Sequence, residues 1–239
     1  IDALNPSYAG KLGSGRVNMF KAVRMAKFAG VSVLSVRVDD SNYNNNQRAE
    51  VGEQVKLFLT ISNPRCYRNA SNVSLELINN DPNITVIDGN INVGNLSVGQ
   101  TIEPSDFFEI IVSGSEPRFW DFKVKVNSIP QNADTIINLR LIIGFPKILV
   151  VDADTLTNFE TYYTSALDSL NKVYELVRFN EPQLFRSNTR EIIIWHTGNR
   201  NTNVLTTAER DSLVAWLNSG KKLFISSQYL AEDPIGSQF

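Results

Sequence analysis

The chain has 239 residues, 42% of them hydrophobic and 20% charged, with a formal net charge of -2. That length accommodates one large or two modest domains, each able to bury its own core, and the near-neutral charge makes no electrostatic case for nucleic acid or an acidic membrane. No apolar run approaches the roughly 20 residues of a membrane span, and the single cysteine, Cys66, excludes an intrachain disulfide and a cysteine-built metal site.

Residues 1–30 open as a loop punctuated by Asn5-Pro6, Gly10, Gly13 and Gly15. From Val17 the apolar spacing becomes helical, through Phe20, Ala22, Val23, Ala26 and Ala29, and Gly30 closes the stripe. One short amphipathic helix makes no core alone, so it is expected to pack on a domain N-terminal to Ile1. The stretch NPSYAGKLGSGRVNMFKAV resembles the closing segment of the catalytic domain in subtilisin-like serine proteases (subtilases). There a G-x-G-x-x-[ND]-A-x-x-A pattern introduces the last helix; Gly13, Gly15, Arg16, Val17, Asn18 and Ala22 match it, and Met19 stands where alanine is usual. The glycines suit a tight turn and Asn18 suits a helix start. The resemblance implies a parent that hydrolyses peptides through an acyl-enzyme. It carries no catalytic residue onto this chain, which has no G-T-S-M-A-like serine segment, no histidine in an H-G-T setting and no Asp-Ser/Thr-Gly segment. The start at Ile1 without a signal-peptide pattern, and the end soon after a strand, read as an excerpt of a longer protein.

Residues 31–145 are strand-like throughout. Val31–Val38 is a first run, and Val55, Leu57, Leu59 and Ile61 alternate strictly. Further runs are Val73–Leu77, Ile84–Ile87, Phe107–Val112, Phe122–Val126 and Ile136–Ile143. Turn clusters separate them, among them Asn63-Pro64, Asp88-Gly89-Asn90 and Ser113–Pro117. Seven or eight short strands without helices predict an antiparallel β-sandwich of immunoglobulin/fibronectin-like class. The pattern GE-x-V-x-L-x-L-T-I-x-N followed by A-S-N-V-S-L-E-L resembles the cell-adhesion-related and fibronectin-like modules appended to secreted bacterial proteases. Asp39-Asp40 with Asn42, Asn44, Asn45 and Asn46 offers oxygen ligands, but its spacing matches no calcium loop. Phe107-Phe108 and Phe119-Trp120 are expected to fill the sandwich core rather than form a carbohydrate platform.

In residues 146–239 strands alternate with helices. The run KILVVDAD (Lys147–Asp154) is apolar on both alternating faces, as suits a parallel strand covered on both sides. Thr157–Asn171 carries Phe159, Tyr162, Tyr163, Ala166, Leu167 and Leu170 at helical spacing. Val173–Val177 and Glu191–Trp195 are two further strands, the second followed by His196-Thr197-Gly198-Asn199. Thr206 with Glu209 reads as a capping box for a helix whose face is Leu213, Val214, Trp216 and Leu217 and which Gly220 stops. Lys222–Ser226 is a fourth strand. Alternation of this kind predicts parallel pairing and right-handed crossovers. ILVVD...YY..AL, IIIWHTGN and LTTAERDSLVAWLNSGKKLFISSQ resemble class I glutamine-amidotransferase-like, flavodoxin-like domains. An active member needs a cysteine after its third strand, where this chain has His196-Thr197-Gly198-Asn199, so the resemblance implies the fold without the activity.

Asp152, His196 and Ser226 or Ser227 fall at strand ends on one sheet edge, the raw material of a Ser-His-Asp triad, but no G-x-S-x-G elbow accompanies them. Strand ends at the carboxyl edge also allow a small polar ligand site from Asp152, Asp154, His196, Thr197, Asn199 and Gln228, although the preferred reading is that these polar groups cap helices and satisfy loops. With no short-spaced histidine pair, no EF-type loop and no glycine-rich phosphate loop, no metal and no cofactor are expected. The expected whole is therefore multidomain. Residues 1–30 close a subtilase domain, residues 31–145 form a β-sandwich, and residues 146–239 form an incomplete flavodoxin-like α/β domain with a parallel sheet. Its expected setting is a secreted or cell-surface bacterial protein, as a non-catalytic accessory region beside a protease domain in cis, touching a protein substrate or surface component. The alternatives are a non-enzymatic adhesion protein and a hydrolase working at the sheet edge.

Overall fold

A computed structural model describes residues 19–154, 158–178 and 190–232. The Gly13–Gly15 turn and the expected helix start at Thr157 lie outside the described residues. The chain is rich in antiparallel strands, with a separate parallel sheet and a few helices. It divides into two compact units: Ile1–Ser113 with Asp121–Leu141, and Gly114–Trp120 with Ile142–Phe239.

In the first unit, helix α1 (Met19–Lys27) leads to β1 (Ser32–Asp39), β2 (Gln54–Ser62), β3 (Ala70–Ile78), β4 (Ile84–Asp88), β5 (Asn90–Leu96), β6 (Thr101–Ile102) and β7 (Phe108–Val112). β8 (Arg118–Ile129) and β9 (Ile136–Ile143) complete the antiparallel set, with Arg118–Trp120 of β8 and Ile142–Ile143 of β9 counted in the second unit. One sheet has the order β1-β2-β7-β4, with β6 also on β2, and the other has the order β5-β3-β8-β9. Each sheet buries one face because its strands alternate. Val55, Leu57, Leu59 and Ile61 of β2 are buried, as are Val73, Leu75 and Leu77 of β3. Phe108 is a core residue, while its neighbour Phe107 packs on Phe58 with ring centroids 5.2 Å apart and lies under Lys56. Two elements differ from the sequence reading. The Asp88-Gly89-Asn90 turn leads directly into a strand absent from that reading, β5, and Thr101-Ile102 forms the short β6.

Two buried asparagines fix the passage from α1 into β1. Asn132 accepts from the Val31 amide at 2.7 Å and donates to Val31 O and Asp134 O, both at 2.8 Å. Asn63 accepts from Gly30 N at 3.1 Å and donates to Arg68 O and Leu96 O. Gly30 itself has no room for a side chain, since a Cβ there would run into the Tyr67 ring. The Asp39–Asn46 loop uses its carboxylates locally: buried Asp40 accepts the amides of Asn46 and Gln47, and Asp39 accepts that of Ser41.

In the second unit, β10 (Ile148–Asp152), α2 (Glu160–Ser169), β11 (Tyr174–Arg178), β12 (Ile192–Gly198), α3 (Thr207–Asn218) and β13 (Lys222–Ser227) follow in order. All strand pairs are parallel, in the order β11-β10-β12-β13. Leu149, Val150 and Val151 are all fully buried, as a doubly covered strand requires. One sheet face, with Leu149, Val151, Ile193 and Trp195, packs on Leu213 and Trp216 of α3. The capping box is present: Glu209 N donates to Thr206 Oγ1 at 3.3 Å and Thr206 N to Glu209 Oε2 at 2.6 Å. α3 ends before Gly220, whose φ of +78° only glycine adopts without strain. The helix faces are narrower than their apolar spacing suggests, with only Leu167 fully buried in α2 and only Leu213 and Trp216 in α3.

Candidate functional site at the edge of the parallel sheet

From β10 the chain runs to β11 on one side and then returns to β12 on the other, so the direction of winding reverses between β10 and β12. In open parallel sheets that reversal opens a crevice beyond the strands' carboxyl ends, where ligands bind. The register places Asp152, Arg178, His196 and Ser226 in one row at that end. The row lies on the face opposite α3, because His196 alternates with Trp195, which belongs to the α3 core.

The apolar run ends the predicted strand at Trp195, with His196, Thr197 and Gly198 beyond it. They are the last residues of β12, held by continued pairing: Ala153 N donates to His196 O at 2.8 Å, and Gly198 aligns with Ser227. Strand alternation then separates two expected site residues. His196 faces the carboxylates, whereas Thr197 turns away and donates to Ser227 Oγ at 2.6 Å. Asn199 is exposed in the following turn. Gln228 is exposed at the rim, its amide donating to Gly198 O at 3.2 Å. Of the six expected site residues, Asp152, Asp154 and His196 converge and Gln228 lines the cavity beside His196, while Thr197 turns away and Asn199 is exposed.

His196 lies between the two carboxylates. Its Nε2 is 3.8 Å from Asp152 Oδ1 and its Nδ1 is 3.8 Å from Asp154 Oδ2. Those distances exceed hydrogen-bonding range, and neither ring nitrogen has a hydrogen-bond partner, although the residue is only 1% exposed. Asp152 and Asp154 are buried as well, and Asp154 N donates to Asp152 Oδ1 at 3.2 Å. The imidazole plane is fixed by Tyr163 of α2, stacked at 5.2 Å and 23°. Gly198, at φ +54°, brings bare backbone against Asp154; a Cβ there would overlap its carboxylate and the Phe159 ring.

Burial pushes the Asp152 carboxyl above its ordinary 3.8; His196 works against that rise, while Asp154 and Glu160 add to it. A carboxyl raised on folding holds its proton more tightly in the native state. Its contribution to stability is therefore complete below 3.8 and is lost as pH rises through the raised value. Above that raised value the ionised carboxylate destabilises the second unit. Asp152→Asn should accordingly raise its thermal midpoint, by about 4–8 °C for each kcal/mol relieved. Thermal scans of both proteins, followed by tryptophan fluorescence, should show a gain that grows as pH rises and is absent at pH 3.8 and below.

A hydrolytic triad needs a hydroxyl hydrogen-bonded to the imidazole. Ser226 shares the row with His196, but both ring nitrogens face carboxylates and make no hydrogen bond, so Ser226 has no base. Beside the row lies a cavity of about 340 Å³, lined by Phe159, Tyr163, His196, Ser226, Ser227 and Gln228. The arrangement can hold a polar or cationic ligand. Glu160 and Tyr163 were not anticipated, although their spacing from buried Leu167, seven and four residues ahead of it, puts all three on one helix face.

No protein-family profile matches the sequence, and no curated protein does. Among solved structures, the chain is similar to a cycloisomaltooligosaccharide glucanotransferase from Paenibacillus sp., at 13% identity and a TM-score of 0.29, covering 70% of this chain and 20% of that one. It is also similar to a family 123 glycoside hydrolase from Clostridium perfringens, at 11% identity and a TM-score of 0.25, covering 70% of this chain and 38% of that one. The chain thus spans well under half the length of either, and likenesses this distant carry no argument about fold or function.

Proposed function

We propose that the chain is a non-catalytic accessory region of a secreted bacterial subtilisin-like serine endopeptidase. In this reading α1 is the last helix of the catalytic domain. The two antiparallel sheets are an immunoglobulin/fibronectin-like sandwich, and the parallel sheet belongs to a flavodoxin-like, amidotransferase-like domain. The observation that carries the reading is the face of α1. Arg24 ties the helix to the first unit through Ala133 O and Asp134, yet Met19, Phe20 and Val23 stand 69%, 76% and 59% exposed. An apolar face on an anchored helix marks a surface that another body covers, and a protease domain in cis supplies one. The order β11-β10-β12-β13 is the flavodoxin order 2-1-3-4. The cysteine that amidotransfer requires is missing there, because Cys66 lies in the loop after β2.

Peptidase assays on this chain and on a polypeptide extended N-terminally test the reading. Hydrolysis by the extended protein alone, blocked by a serine-directed inhibitor, is the expected result. Hydrolysis by this chain alone would assign the chemistry to Asp152, His196 and Ser226, and silence from both would favour the adhesion protein.

A further inference from the structure

We propose that Asp152, Asp154 and His196 form a binding site for a divalent transition cation of the zinc class. Each residue offers one ligand atom, and the three atoms lie within 4.8 Å of one another. Zinc sits about 2.0–2.2 Å from nitrogen and carboxylate donors, so two donors sharing an ion stand up to about 4.4 Å apart. One ring nitrogen binds the ion, and the carboxylate oxygen it faces is 3.8 Å away, inside that limit; the widest donor pair of the three, up to 4.8 Å, needs a closure of a few tenths of an ångström.

The second, independent observation is His196 itself. It is 1% exposed and makes no hydrogen bond at either nitrogen. Its plane is held by Tyr163 so that both ring nitrogens face carboxylate oxygens. A buried imidazole without partners calls for an occupant, and an imidazole with two carboxylates suits zinc or manganese better than calcium or magnesium, which take oxygen ligands. Three protein ligands leave a further coordination position for water or a substrate atom, and His196 also lines the adjoining cavity. Gly198 keeps backbone rather than side chain against Asp154. The inference stands on the second unit alone and does not depend on the protease reading.

His196 is the only histidine in the chain, so its ring nitrogens can be followed without ambiguity. The full chain, labelled with nitrogen-15, is titrated with zinc chloride while the imidazole nitrogen shifts are recorded. The expected result is a displacement of one ring nitrogen that saturates at one equivalent. Asp154→Asn, an isosteric change, should weaken that titration by about 100-fold. An imidazole that stays unmoved in tenfold excess zinc overturns the proposal, even if zinc binds elsewhere, for example at exposed Cys66. A folded Asp154→Asn protein that titrates like the native chain overturns it equally. Should Asp154→Asn not fold, Asp152→Asn is titrated in its place with the same two outcomes.

Discussion

Replacing Asn132 with alanine should destabilise the first unit by about 3–5 kcal/mol, enough to consume much of a typical domain's stability. The side chain makes three hydrogen bonds, two of them to the amide and carbonyl of Val31, and both residues are buried. Alanine would leave Val31 N–H and C=O without partners away from water, and each such orphan costs about 1–3 kcal/mol. Urea unfolding combined with amide exchange at Val31 measures the effect, which should include loss of protection at that amide. Asn132→Asp separates the contributions. It keeps the acceptor for Val31 N but sets a carboxylate against two carbonyl oxygens, so it should be no better than alanine. A loss below 1 kcal/mol in either variant would mean that the passage from α1 into β1 is fixed by something other than this side chain.

The second large effect is expected at Arg190, just before β12. Its guanidinium is 2% exposed and donates to Glu175 of β11, itself 15% exposed, at 2.7 Å. Removing one member of a buried pair leaves the other charge poorly compensated, at a typical penalty of about 3–5 kcal/mol. Arg190→Ala should therefore lower the urea midpoint of the second unit, followed by fluorescence of the buried Trp195 and Trp216. Changing both partners, as Glu175→Met with Arg190→Met, removes both charges and should recover most of the loss. If the double variant is as unstable as Arg190→Ala, the pair acts through geometry rather than through compensation of charge.

The parts of the fold that were legible in the sequence are those where local chemistry and burial agree. β2 alternates because one face is core, α3 carries both halves of a capping box, and β10 is apolar on both faces because both are covered. β5 was hidden because Asn90–Leu96 buries only Ile91 and Leu96, contains Gly94 at φ +80°, and follows β4 after a single glycine. Its existence depends on pairing with β3, through a register that shifts twice. The candidate site shows the same division. Asp152 and His196 could be placed at strand ends from the apolar runs alone. That His196–Gly198 continue the strand follows from partners on both sides, which no local pattern reports. Thr197 was grouped with His196 by adjacency in sequence, and strand alternation is what parts them. Tyr163 lay within the recognised helix, but its stacking on His196 is a tertiary contact.

The link between Val31 and Asn132 also sets a clock. The two residues are 101 positions apart, so on a ribosome adding about 5–20 residues per second, β1 must wait roughly 5–20 s for the side chain that pins its start. During that interval the β1–β2 hairpin can pair, since its register needs only residues 32–62, but the chain entering it is unanchored. Closing so distant a contact is entropically expensive and slow. The first unit should thus complete its fold only when the turn after β8 has emerged, and a nascent chain arrested before Asn132 should expose the α1–β1 passage to proteases that the finished protein resists.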